Sequence, residues 1–122
     1  MEKILVIDDE EPIRMLIKAI LEKAGYEVDL AKNGIIALEK INNNHYCVII
    51  LDLLMPEKEG LETIREMLKM KPEIKIIAIS GGGSNGDLDF LSIAKLFGAK
   101  STLNKPFNKA KLLDTLQEVI KG

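Results

Sequence analysis

Tryptophan is absent and only 4% of the residues are aromatic, which leaves few rings on which a flavin or a nucleotide base could stack. One cysteine, Cys47, excludes an internal disulfide; beside Val48 it reads as a small buried hydrophobe. One histidine, His45, follows Asn42, Asn43 and Asn44 in a polar turn and has no catalytic companion, so a solvent-exposed position is expected. Neither sign of charge dominates: 17 basic residues stand against 19 acidic ones, a net charge of -2 that points to neither nucleic acid nor a membrane surface. No apolar run approaches membrane-spanning length, and Asp8, Asp9, Glu10 and Glu11 interrupt the N-terminal apolar stretch where a signal peptide needs continuity. Repeats, low-complexity tracts and linkers are also missing. The expectation is a single domain over residues 1–122, soluble and cytoplasmic, long enough to bury roughly two thirds of the surface its unfolded chain exposes.

What is present is alternation. Strand and helix patterns follow one another five times, as in an α/β unit. Ile4 to Ile7, Val48 to Leu51 and Ile76 to Ile79 are continuous apolar runs, as strands covered on both faces require. Glu27-Val28-Asp29-Leu30 alternates and Ser101-Thr102-Leu103-Asn104 is weakly apolar, which suits edge strands. A five-stranded parallel sheet of order 2-1-3-4-5 satisfies both, and right-handed crossovers place helices on both faces. Helical stripes are expected for Ile13, Leu16, Ile17, Ile20, Leu21 and Ala24 after Pro12 and before Gly25, then for Gly34 to Ile41, Leu61 to Leu68 and Leu112 to Ile120. In a fourth helix, about Leu88 to Phe97, the residues Phe90, Ile93, Ala94 and Phe97 form a core stripe, while Leu88 and Leu96 fall on the other side as a surplus apolar face.

Four of the five strand patterns end on side chains suited to phosphate chemistry: Asp8 and Asp9, Asp52, Ser80, and Lys105 just beyond the fifth. In an open parallel sheet the C-terminal strand ends converge on one crevice, so three carboxylates, a hydroxyl and an ammonium should meet. Carboxylates at about 5 Å repel by roughly 3 kcal/mol per pair at an effective dielectric of 20, and such a site invites a cation. All-oxygen ligation without histidine or thiol favours a hard ion, and Mg²⁺ fits better than zinc. Asp52 is the candidate nucleophile, since a carboxylate can take a phosphoryl group as an acyl phosphate. Lys105 and Ser80 can bind phosphoryl oxygens. Separately each residue has an ordinary role in a turn or a cap; the set is what carries the reading.

With these pieces in place, the chain resembles, over essentially its full length, the receiver domain of two-component response regulators. The matching residues are Asp8-Asp9, the segment Val48 to Pro56 containing Asp52 with Gly60 beyond, Ser80, and Lys105-Pro106-Phe107. The resemblance implies a flavodoxin-like fold with Asp52 as phosphoacceptor. It also implies that Asp9 ligates Mg²⁺ directly, Asp8 assists, and Asp52 and the backbone carbonyl of Leu54 complete the protein ligands. Ser80 and Lys105 would bind the phosphoryl group, and Ser80 with position 102 would form the switch. A cis Lys105-Pro106 peptide is implied as well. The phosphoryl group would come from a phosphohistidine on a sensor histidine kinase or histidine phosphotransfer domain, and the output would go to a downstream protein or effector domain through the fourth-helix face. Such a domain assists its own phosphorylation and dephosphorylation and is not an independent enzyme.

Three positions depart from the family pattern. Thr102 stands where the family usually carries an aromatic residue that turns inward, Leu54 is apolar where polar residues are common, and Gly82 lies two residues after Ser80. The run Gly81 to Gly86 frees the loop after the fourth strand of most side chains, and this run is expected to carry the switch in place of an aromatic ring. It also admits a rival reading, a flavodoxin-like protein that cradles a nucleotide or flavin phosphate with backbone amides. Against that rival, the first strand-to-helix loop is acidic and neither GxGxxG nor a Walker pattern occurs. A second rival, an aspartate-based phosphohydrolase, would need a second carboxylate two residues after Asp52, where Leu54 stands.

Overall fold

The computed structural model describes residues 2–53, 57–80 and 92–122. Five parallel strands, β1 (Lys3–Ile7), β2 (Glu27–Ala31), β3 (Val48–Asp52), β4 (Ile76–Ser80) and β5 (Ser101–Asn104), lie in the order β2-β1-β3-β4-β5. They alternate with helices α1 (Glu11–Lys23), α2 (Gly34–Asn43), α3 (Glu57–Met70), helical residues 92–97 (α4) and α5 (Lys109–Lys121). The expected order is therefore the observed one, with the two weakly apolar strands at the edges.

The apolar runs alternate between two cores. Leu5, Ile7, Ile49, Leu51, Ile76 and Ala78 point to one face, where α2, α3 and Ala94 of α4 cover them. Ile4, Val6, Val48, Ile50, Ile77, Ile79 and Leu103 point to the other, against Ile17 and Leu21 of α1 and Leu112, Leu116 and Val119 of α5. A strand's side chains alternate with a period of two, so a continuous apolar run feeds both layers at once. This is why β1, β3 and β4 show no polar alternation.

Helix ends are set locally. Asn33 Oδ1 accepts the Ile36 N–H at 2.9 Å to cap α2, and Asn108 Oδ1 accepts the Lys111 N–H at 2.7 Å to cap α5. Pro12 opens α1, and Gly25 takes φ +100° just after its end, a conformation that favours glycine.

Three expectations about burial need correction. Leu16 of α1 is 58% exposed because α1 meets the sheet along a stripe centred on Ile17 and Leu21 and Leu16 falls outside it, and Ala24 is exposed because it is the C-cap, one residue past the last turn of α1. In α4 only Ala94 is fully buried; Ile93 and Phe97 lie at the rim and are partly exposed, because Ala94 is the side chain of this turn that meets the core. Cys47 is half-buried rather than enclosed, packed at the margin of the α1/α5 core, where burial pushes its thiol up. Leu96 does point outward, at 85% exposure, and His45 is exposed as expected. Leu54, Gly81 to Gly86, Leu88 and Phe90 lie outside the described residues. Among the described residues, no helix is long and apolar enough to cross a membrane.

Candidate phosphoryl and metal site

Strand register brings the site together. Ile7 pairs with both Ala31 and Leu51, Asp52 with Ile79, and Ser80 with Asn104. The C-terminal ends of β1, β3, β4 and β5 are thus nearly flush, and Asp8, Asp52, Ser80 and Lys105 emerge on one edge of the sheet. The connection leaving β1 runs outward to β2 and the one leaving β3 runs the opposite way to β4, which makes the gap between β1 and β3 the topological switch point where such sheets place their crevice.

Asp52 is 1% exposed and its Oδ2 accepts a hydrogen bond from the Lys105 ammonium, an ion pair between groups 53 residues apart. Lys105 is held by its own backbone as well: its N–H donates to the Ser80 carbonyl at 2.8 Å, and the Lys105-Pro106 peptide is cis, as expected. The Leu53 N–H donates to Ile79 O at 2.6 Å, continuing the β3–β4 ladder one residue past Asp52. Ser80 is buried at the end of β4. Thr102 is half-buried on β5 opposite Ala78, with no ring to turn.

Asp8 is fully buried beside Asp52. Its Oδ1 accepts the Glu10 N–H at 2.9 Å, and its Oδ2 meets no donor. Burial pushes the Asp8 carboxyl up to about 7, and the neighbouring Asp52 carboxyl adds to the shift, against the opposing pull of the Glu10 N–H and Lys105. Two carboxylates bond to each other only when one holds a proton, so Asp8 and Asp52 are a pair that wants either a shared proton or a cation between them. Asp9 lies exposed at the rim. One ligand atom from each of Asp8, Asp9 and Glu10 falls within 4.8 Å of the others, an all-oxygen set suited to a hard cation.

Of the residues singled out in the sequence, Asp8, Asp52 and Lys105 are in mutual contact or interaction, Ser80 is joined to Lys105 through its backbone, and Asp9 flanks them. Two neighbours were not foreseen. Glu10 joins the carboxylate cluster; its place in the acidic run was the only signal. Arg14 reaches back from α1 so that its Nη1 donates to the Asp8 carbonyl at 2.6 Å, and nothing in the sequence announced that contact.

A doubly wound parallel sheet with buried, lysine-paired carboxylate and acidic loop at its switch point defines a narrow class of α/β proteins. The chain belongs to the response regulator receiver domain family, whose model matches residues 4–117. It is similar to the chemotaxis protein CheY of Thermotoga maritima, 36% identical over 121 residues that cover 98% of each chain. Among solved structures it is similar to the response regulator TrrA of Thermotoga maritima in complex with Mg²⁺-BeF, with TM-score 0.83, 37% identity and coverage of 98% of this chain and 99% of that one. A response regulator of Burkholderia pseudomallei with a phosphorylated aspartic acid and a calcium ion gives TM-score 0.84 at 29% identity, covering 99% of this chain and 69% of that one.

Proposed function

We propose that this receiver domain is a phosphorylation-controlled switch that takes a phosphoryl group on Asp52. The observation that carries the reading is the buried Asp52 carboxylate with the Lys105 ammonium on one of its oxygens and Asp8 beside it. A carboxylate oxygen of Asp52 attacks phosphorus, the P–N bond of a phosphohistidine donor breaks, and its electron pair leaves with the imidazole; the product is an acyl phosphate. Lys105 then turns its charge to a phosphoryl oxygen, and the Ser80 hydroxyl is available to donate to another. The two similar structures, one holding Mg²⁺-BeF and the other a phosphorylated aspartic acid, support this assignment for the corresponding fold.

The residues present also fit Mg²⁺. Asp8 Oδ2 is buried without a donor, Asp9 lies at the rim, and the donor set is all oxygen. Asp8, Asp9 and Asp52 would hold the ion, with the Leu54 carbonyl as the remaining protein ligand and Glu10 at its edge. Bound there, the ion neutralises charge on the transferring group. The donor would be a sensor histidine kinase or histidine phosphotransfer domain. The output would reach a downstream protein or effector domain through the face on which Leu96 stands. Residues 1–122 act as one receiver unit that assists its own chemistry without turning over a separate substrate.

Incubation with a small phosphodonor and Mg²⁺ is expected to add one phosphoryl group per chain as an alkali-labile adduct, and chelation is expected to prevent it. Continuous turnover of phosphate esters without a stable adduct would instead indicate a phosphohydrolase and contradict the reading.

A further inference from the structure

We propose that Arg14 is a positioning residue of the cation site, fixing the Asp8 peptide so that Oδ2 is presented in a geometry suited to Mg²⁺ more than to Ca²⁺. The inference rests on the Mg²⁺ site proposed above and deepens it.

Asp8 is tethered through each of its other polar groups. Its N–H donates to Ala31 O at 3.1 Å, which ties it to β2. Its Oδ1 accepts the Glu10 N–H at 2.9 Å, which closes the turn into α1. Its carbonyl, beyond the end of the β1 ladder, accepts from Arg14 Nη1 at 2.6 Å. Oδ2 alone is uncommitted, and it is buried. Arg14 is itself held on α1, where its N–H donates to Glu10 O at 3.1 Å, and its half-buried side chain spans back over the acidic loop. Without this tether the peptide after Asp8 could rotate and carry the Glu10 N–H away from Oδ1, and the carboxyl would lose the donor that sets its orientation.

The guanidinium also brings positive charge to a cluster meant for a cation. Its two effects oppose each other, which makes them separable. If charge dominates, removing Arg14 tightens every divalent cation alike. If positioning dominates, removal weakens Mg²⁺ selectively, because Mg²⁺ demands near-octahedral geometry at short distances while Ca²⁺ accepts variable coordination. Partners behind the ligands typically govern metal affinity by about 10-fold or more.

The test is calorimetric titration of the full chain with Mg²⁺ and, separately, with Ca²⁺, at constant ionic strength, for the wild type, Arg14→Met and Arg14→Lys. Arg14→Met should lower Mg²⁺ affinity by about tenfold and Ca²⁺ affinity much less. Arg14→Lys, which keeps a donor able to reach one carbonyl, should restore most of the selectivity. As a second readout, exchange of the Glu10 amide without any cation should be faster in Arg14→Met at unchanged global stability. Equal tightening of both cations, or an unchanged ratio of affinities with an unchanged Glu10 amide, would overturn the inference while leaving the Mg²⁺ site intact. A wild type that binds neither cation would overturn the site and this inference together.

Discussion

Asp52 and Lys105 were legible in the sequence because Asp52 closes an apolar run and Lys105 directly follows the fifth strand pattern, and a strand that ends at the sheet edge must put its next side chain there. Parallel order brings the two to one edge of the sheet, where they pair across 53 residues. The state of Asp8 was not legible, since it depends on burial and on how near Asp52 lies. That state has a measurable consequence. With its carboxyl raised to about 7 by burial and by Asp52, against about 3.9 in an unfolded chain, folded Asp8 holds its proton more strongly than the unfolded chain does. Without divalent cations, stability should therefore fall as pH rises from about 4 through about 7. Asp8→Asn removes the carboxyl and supplies a donor toward Asp52, so it should abolish this slope and be more stable than the wild type at pH 8, by on the order of 1–3 kcal/mol. Urea unfolding at pH 5 and pH 8 checks both; a wild type equally stable relative to the variant at the two values would contradict the proposed carboxyl pair.

At the scale of elements, periodicity located the helices, but the width of their buried faces escaped it. Leu16, Ile93 and Phe97 carry apolar side chains at the edges of their stripes, and how deep each sits depends on how closely a helix approaches the sheet. Close approach is visible between α2 and α3, where a Cβ at Gly34 would overlap Oγ1 of buried Thr63, an atom too near its backbone to swing clear. Gly34→Ala should cost about 1–3 kcal/mol in spite of alanine's better helix propensity, measurable as a lower urea midpoint at unchanged slope; a stabilised variant would show that the helices part freely. A second junction ties edge strand β2 to the start of β3. The Tyr46 hydroxyl donates to Asp29 Oδ2 at 2.6 Å and the Lys3 ammonium lies 3.4 Å from the same oxygen. Burial pushes the Asp29 carboxyl up, yet the Tyr46 hydrogen bond and the Lys3 charge outweigh it and hold the group below its usual range. The stability this contributes is present above about pH 3.9 and is lost as pH falls through the depressed folded value. Tyr46→Phe should cost about 1–2 kcal/mol at pH 7, with the deficit shrinking toward pH 3; a deficit independent of pH would assign Tyr46 to packing alone.

For the whole molecule, strand order, two-sided core and site edge were all readable from five strand patterns, three of them continuous apolar runs, and their punctuation, because a doubly wound sheet leaves few alternatives once its central strands are known. What could not be read were contacts made by long side chains reaching back across a loop, such as Arg14 to the Asp8 carbonyl, since their existence depends on loop geometry to within an ångström or so. The architecture separates two tasks: apolar layers on either face fix the strands, and the strand ends are left to hold charge that no core could tolerate. On this account the buried carboxylate of Asp52 is kept as the acceptor and is not a structural ion pair with Lys105. Intact-mass measurement of wild type and Asp52→Asn after incubation with a small phosphodonor and Mg²⁺ tests that most directly. The wild type should gain the mass of one phosphoryl group, mapped to the peptide containing Asp52, and the variant should gain none on the same timescale; labelling of the variant at the wild-type rate would contradict the account.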